Sequence, residues 1–110
     1  PHALRAAADA KQISFVDAPI SGGQAGAEKG QLSIMCGGDS GAFDRALPVM
    51  EVYAKICRRL GDSGAGQMTK MCNQIAIAGL VQGLSEGLAF ADDVYQFFIS
   101  LDPRALDVLW

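Results

Sequence analysis

Apolar and polar positions change rhythm along the chain, and the change divides it. Residues 4–12 are alanine-rich and predict the end of a helix. Residues 13–18 predict a short strand bounded by Pro19, because a residue that precedes proline is pushed towards extended backbone. A loop dense in small residues is expected over 21–30, where Gly22, Gly23, Gly26 and Gly30 fall. Residues 31–36 predict a second strand, ended by Gly37 and Gly38. Asp39 or Ser40 is the expected N-cap of a helix running to about Ala54, with Pro48 placed to kink or divide it. One more short strand is expected over 56–60, and a second glycine-rich loop over 61–66.

From Gln67 the pattern is different. Residues 67–92 contain no proline and are apolar almost all round, which predicts one long helix buried on more than one side. Gly79, Gly83 and Gly87 recur every four residues, a stripe that lets another helix approach closely. Each glycine costs a helix on the order of 1 kcal/mol of propensity, so tertiary packing has to hold this one. A further helix is expected with Asp102 as N-cap and Pro103 in its first turn. The expected architecture is therefore α/β followed by all-α, with the boundary at residues 61–66 and the two parts taken as 1–63 and 64–110.

Composition narrows the class. Half of the residues are hydrophobic and 19% are charged, enough apolar material for a core. The formal net charge of −3 argues against a nucleic-acid partner, and Arg58-Arg59 is too short a basic cluster to track a phosphate backbone. No membrane span is expected, because the unbroken apolar run 75–81 falls far short of the ~20 residues needed. Cys36, Cys57 and Cys72 are widely spaced, with no Cys-x-x-Cys pair and His2 as the one histidine, so neither a metal site nor a disulfide framework is expected. Three reduced cysteines buried as small hydrophobes would fit a reducing compartment, the cytoplasm or the mitochondrial matrix. No signal peptide is visible, and both ends read as cut: Pro1 is not a methionine, and Trp110 falls inside a helical pattern.

Two segments carry candidate chemistry. In residues 17–30 a strand ends and the chain turns through Ser21, Gly22 and Gly23. Glycine lets a ligand approach the backbone, successive N–H groups can cradle an anion, and the Ser21 hydroxyl adds a donor, so the loop suits a carboxylate or a phosphate. In residues 61–74 a glycine-rich loop feeds directly into the long helix, where Lys70, Asn73, Gln74 and Ile77 share one face. Burial there would lower the lysine pKa and make it a usable acid or base. Taken singly, each segment also reads as something plainer: a connecting turn and a solvated helix start.

Other patterns fail on detail. A phosphate loop needs glycine directly before the lysine, where Thr69 stands. Gly64-x-Gly66-x-x-Thr69 approximates a dinucleotide fingerprint, but the partnering acid, Glu86, sits inside a helical pattern. Asp92 and Asp93 are adjacent on a helix and point apart, as solvated end residues do. Phe90, Tyr95, Phe97 and Phe98 read as core or subunit interface.

The two segments, in this order and at this separation, with the strand of residues 31–38 between them, resemble the β-hydroxyacid dehydrogenases of the 3-hydroxyisobutyrate dehydrogenase and tartronate semialdehyde reductase type. The resemblance runs from about Phe15 to Ala91 and thins over the aromatic residues 93–100. It implies the C-terminal end of a Rossmann-type domain joined by a long helix to the start of an all-helical, 6-phosphogluconate dehydrogenase-like domain. It implies NAD or NADP as cofactor, with the main dinucleotide motif, and the residue that selects between the two, upstream of Pro1. It implies a small carboxylate substrate held by Ser21, Gly22 and Gly23, with Lys70 as the acid/base group and an amide in the next turn, Asn73 or Gln74, positioning the substrate. Many members carry Asn-Asn where this chain has Asn73-Gln74, a departure that favours the semialdehyde-reductase branch. The alternative is a non-catalytic binding or structural module, or an inactive remnant completed by a second copy. Such relatives would be expected to lose the lysine, which is present here. The apolar helix and its glycine stripe make a homo-oligomer the expected assembly.

Overall fold

The structure, a computed structural model, describes residues 1–100 and 104. Helix α1 (His2–Ala10) leads into strand β1 (Val16–Asp17), then β2 (Ile20–Ser21), helix α2 (Gly23–Glu28), strand β3 (Leu32–Gly38), helix α3 (Ser40–Met50), strand β4 (Ala54–Gly61) and helix α4 (Ala65–Ile99). The expected helix over Asp102 and Pro103 lies outside the described residues.

Strand β3 organises the four-stranded sheet. On one edge it pairs antiparallel with β1 at its C-terminal end (Val16 with Gly38, Asp17 with Gly37) and with β2 further back (Ile20 with Ile34, Ser21 with Ser33). The expected strand over 13–18 is thus shortened at its start and resumes after Pro19. Proline cannot donate to the ladder, but its carbonyl still accepts from the Met35 N–H at 3.0 Å, so the two pieces stay in line. On the other edge β3 pairs parallel with β4, and α3 provides the crossover that parallel strands require.

Several local expectations change. Residues 23–28 form a short helix where a loop was expected. Its Gln24 side chain donates to Glu28 at 2.7 Å, an i,i+4 pair that the surrounding glycines disguise. Helix α3 contains Pro48 and ends at Met50, short of Ala54, which begins β4. Asp39 occupies the N-cap position of α3 without a side-chain cap bond, because its carboxylate accepts from Arg5 at 3.3 Å.

The core lies under β3. Leu32, Ile34, Cys36, Ala42 and Met50 are buried, and Val16, Ala18, Phe43, Ala46, Ala54 and Cys57 pack around the cluster of Ile34, Cys36 and Met50. Cys72 is exposed and Cys57 half-buried, so only Cys36 behaves as the fully buried thiol expected of all three.

The chain divides into two compact units, 1–74 and 75–110, so the first turns of α4 belong with the sheet. In the second unit the described part of α4 is bare: Ile75, Leu80, Leu84, Leu88 and Phe90 are all exposed. The expected burial on more than one side is not supplied by the described residues. Within the helix segment 65–97 an 18-residue window reaches a mean hydropathy of 1.2, so by length and composition alone the segment could cross a membrane, a test that core helices of soluble proteins also pass. The unbroken apolar run alone understated this, because glycines and single polar residues interrupt it.

Candidate functional site

The first turn of α4 is held by a residue far away in sequence. The buried carboxylate of Asp17 accepts the backbone N–H of Gly64 at 2.7 Å and that of Gln67 at 3.0 Å. Free N–H groups at a helix start and the positive end of the helix dipole both favour a carboxylate in this position. Two glycines make room for it. A Cβ at Gly37 would stand 2.7 Å from both Asp17 carboxylate oxygens, and one at Gly66 would run into the Met35 carbonyl oxygen and stand 2.9 Å from the Asp17 carboxylate. Glycine at these two positions lets the sheet and the helix start approach within backbone contact.

Arg59 fixes the intervening loop. Its Nε donates to the Gly38 carbonyl at 2.7 Å, and its Nη2 donates to Asp62 at 2.9 Å. The loop and the strand end are thereby tied to one another next to the helix start.

With α4 anchored at Asp17, Lys70 reaches back to the end of β2. Its Nζ donates to the Ser21 Oγ at 2.9 Å, across 49 residues of sequence. Both residues are half-buried, and among the described residues no carboxylate forms a salt bridge with Lys70. Gly22 and Gly23 follow Ser21 with φ of +129° and +60°, backbone that L side chains rarely adopt. A Cβ at Gly23 would meet nothing within 4 Å, so open space borders the turn. Asn73 is half-buried one turn beyond Lys70, and Gln74 is exposed. The structure therefore joins Ser21 to Lys70, places Asn73 on the adjacent turn, and sets Gln74 facing solvent.

Asp17 has no role in the sequence reading, although it lies inside the first motif. A signal was available. An aspartate closing a strand and a glycine-rich helix start without a side-chain cap of its own are complementary, but only the fold shows that they meet.

A cavity of about 520 Å³ adjoins the loop and is lined by Asp62, Ser63, Gly64, Gln67 and Met68, among others. The Ser63 hydroxyl is buried there without a hydrogen-bond partner among the described residues. An unsatisfied buried hydroxyl beside an open cavity fits a polar group from a ligand.

Comparison with known proteins bears on this arrangement. Residues 2–61 match the family described as the NAD binding domain of 6-phosphogluconate dehydrogenase. An uncharacterized oxidoreductase of Shewanella frigidimarina is 61% identical over 79 residues, covering 72% of this chain and 27% of the relative. The 2-hydroxy-3-oxopropionate reductase of Escherichia coli is 46% identical over 77 residues, covering 70% of this chain and 26% of the relative. Among solved structures, the Mycobacterium tuberculosis 3-hydroxyisobutyrate dehydrogenase with L-serine superposes with a TM-score of 0.81 at 33% identity, covering 98% of this chain and 36% of that one. The chain thus spans about a quarter to a third of the length of the proteins it matches.

Proposed function

The chain belongs to the β-hydroxyacid dehydrogenase family, and from that premise we propose that the full-length protein interconverts a small β-hydroxy acid and its semialdehyde with NAD or NADP. The single observation that carries this reading is the 2.9 Å bond between Lys70 and Ser21, which unites the two candidate motifs at one place. We assign Lys70 as the acid/base group and Ser21 with Gly22 and Gly23 as the carboxylate cradle. Asn73, half-buried, takes precedence over Gln74 as the positioning amide.

Ser63 and Gly64 would hold part of the dinucleotide, with the Ser63 hydroxyl, which has no partner among the described residues, bonding its polar edge. The nicotinamide, when bound, accepts or returns the hydride. In the oxidative direction Lys70 takes the proton of the substrate hydroxyl, and in the reductive direction it protonates the forming alkoxide oxygen. The Ser21 hydroxyl and the Gly22-Gly23 backbone fix the substrate carboxylate and so select the face presented for reaction. Among the described residues no carboxylate competes for the Lys70 amino group, which leaves it available to the substrate.

The chain divides functionally at residues 63 and 64, the last part of the Rossmann-type domain giving way to the start of the helical domain. The family match ending at residue 61 supports that division. The bare apolar stretch of α4, with Gly79, Gly83 and Gly87 facing open space, suits coverage by a second copy in a homo-oligomer. The free cysteines fit a reducing compartment, cytoplasm or mitochondrial matrix. The 110 residues by themselves, without a Gly-x-Gly-x-x-Gly motif, are expected to bind the dinucleotide weakly and to lack turnover.

Lys70→Ala in the full-length protein tests the assignment. Steady-state kinetics with small β-hydroxy acids and semialdehydes, such as 3-hydroxyisobutyrate, tartronate semialdehyde, glyoxylate and succinate semialdehyde, should show kcat lowered by about 10²–10⁴-fold with KM changed less. Near-normal turnover in that variant would remove Lys70 from the chemistry and favour a non-catalytic module built on the same fold.

A further inference from the structure

Away from the candidate site, three sulfurs meet in the core of the first unit. Cys36 of β3, Cys57 of β4 and Met50 at the end of α3 form a nearly equilateral triangle: 3.6 Å between the two thiols, and 3.8 and 3.9 Å from each to the thioether. A point in that plane lies about 2.2 Å from all three sulfurs, close to the ~2.3 Å of a metal–thiolate bond. Cys36 and Met50 are buried, whereas Cys57 is half-buried and borders a groove of about 560 Å³ that also carries Lys55 and Arg58.

Two chemistries compete for such a pair of thiols, a disulfide and a shared soft metal ion, and the strand register discriminates between them. Cys57 pairs with Ile34, and Cys36 pairs with Arg59, so the cysteines are offset by two residues on the parallel ladder. With strands ~4.8 Å apart and ~3.3 Å of rise per residue, their α-carbons stand about 8 Å apart. That is beyond the ~7 Å limit at which a disulfide can close without backbone movement. The side chains lean towards one another enough to share an ion between them.

The donor set selects the ion. Two thiols and a thioether, without nitrogen or oxygen donors, favour a soft ion of low coordination number, whereas zinc asks for a fourth ligand. Among the described residues no group of three His, Cys, Asp or Glu side chains gathers to supply one. Burial, followed by the neighbouring Cys57 thiol, pushes the Cys36 thiol up to about 12, so only an ion with high affinity for thiolate displaces its proton.

We propose that Cys36, Cys57 and Met50 form a three-sulfur binding site for a monovalent soft metal ion, Cu(I) or its analogue Ag(I). On binding, two S–H bonds break and both protons leave to solvent, while two metal–thiolate bonds and one metal–thioether bond form. No electron is transferred. The bound centre carries one net negative charge; on the groove beside Cys57 the cations Lys55, Arg58 and Arg59 outnumber the one acid, Glu51.

The test is a titration of the fully reduced protein carrying Cys72→Ser, which removes the exposed thiol, with Cu(I) presented by a competing chelator without oxygen. One Cu(I) per chain should bind, with release of two protons and an X-ray absorption spectrum showing three sulfur neighbours at about 2.2–2.3 Å. Cys57→Ser should weaken binding by about 100-fold, and Met50→Leu by about tenfold with a change to two sulfur neighbours. Absence of binding in competition with the chelator overturns the proposal, as does unchanged affinity in a folded Cys57→Ser protein. If either variant fails to fold, the spectrum of the parent protein decides: three sulfurs uphold the site, and nitrogen or oxygen neighbours refute it. A thiol oxidant that links Cys36 to Cys57 in the folded protein, seen as a cross-linked peptide by mass spectrometry, would refute the register argument.

Discussion

The first turns of α4 and its later turns belong to one unbroken helix, yet they are held in opposite ways. Up to Gln74 the helix is fixed from outside itself: Asp17 caps it, Gly66 presses against β3, and Lys70 bonds back to Ser21. From Ile75 onward the described side chains are exposed apart from the half-buried Val94, and the three glycines of the stripe face open space. The same residue type thus does opposite things. Gly66 is a steric requirement, whereas Gly83 as it stands only weakens the helix. Geometry capable of chemistry sits where tertiary contacts over-determine the backbone, and the later turns are left needing a cover.

Substituting glycines along the helix separates the two halves most sharply. Gly66→Ala should destabilise the protein by about 3 kcal/mol, since the methyl must displace backbone rather than a flexible side chain. A thermal or denaturant melt that hardly moves would show that the sheet and helix start are less closely held than described. Next in size, Asp17→Ala should cost about 2 kcal/mol by removing a charged acceptor from two helix N–H groups. In the full-length protein the same variant should lower kcat of the proposed reaction, because Lys70 loses its register to Ser21. A large loss of stability with kinetics of the folded fraction unaltered would separate the cap from the site.

Gly83→Ala is the counterpart in the later turns. With nothing within 4 Å of the added methyl, it should stabilise the helix by up to about 1 kcal/mol. If a second copy packs on the stripe, the methyl should instead weaken association, seen as a shift to smaller species in analytical ultracentrifugation. Either outcome tells which surface is covered. The effect that is smallest at neutral pH, where it vanishes, is a titration. The Cys36 thiol is raised from 9.0 to about 12, chiefly by burial, so the unfolded chain releases that proton at lower pH than the folded protein. Its contribution to stability should be flat below about pH 9 and fall as pH rises towards 12, by at most about 1.4 kcal/mol per pH unit. Cys36→Ala should lack this part of the slope.

Much of this was legible beforehand. The second strand and the glycine-rich entry to the long helix follow from local pattern, and family resemblance singled out both Ser21 and Lys70, whose side chains meet in the fold. The short helix over 23–28 did not, because three glycines in residues 22–26 mask a Gln24–Glu28 pair that only becomes meaningful once the backbone coils. The strand break at Pro19 was visible, but its repair through the Pro19 carbonyl depends on β3 lying alongside.

By itself the sequence determined the order of the longer elements, the change from mixed α/β to helix, and residue types suited to binding a carboxylate and moving a proton. Those features depend on neighbours a few positions away, where propensity and spacing act. The tertiary structure alone decided that Asp17 caps a helix 47 residues later, that Gly37 and Gly66 must lack side chains, and that Cys36, Cys57 and Met50 bring their sulfurs together. Each of these joins residues distant in the chain, and such contacts exist only once strand register and helix approach have been fixed.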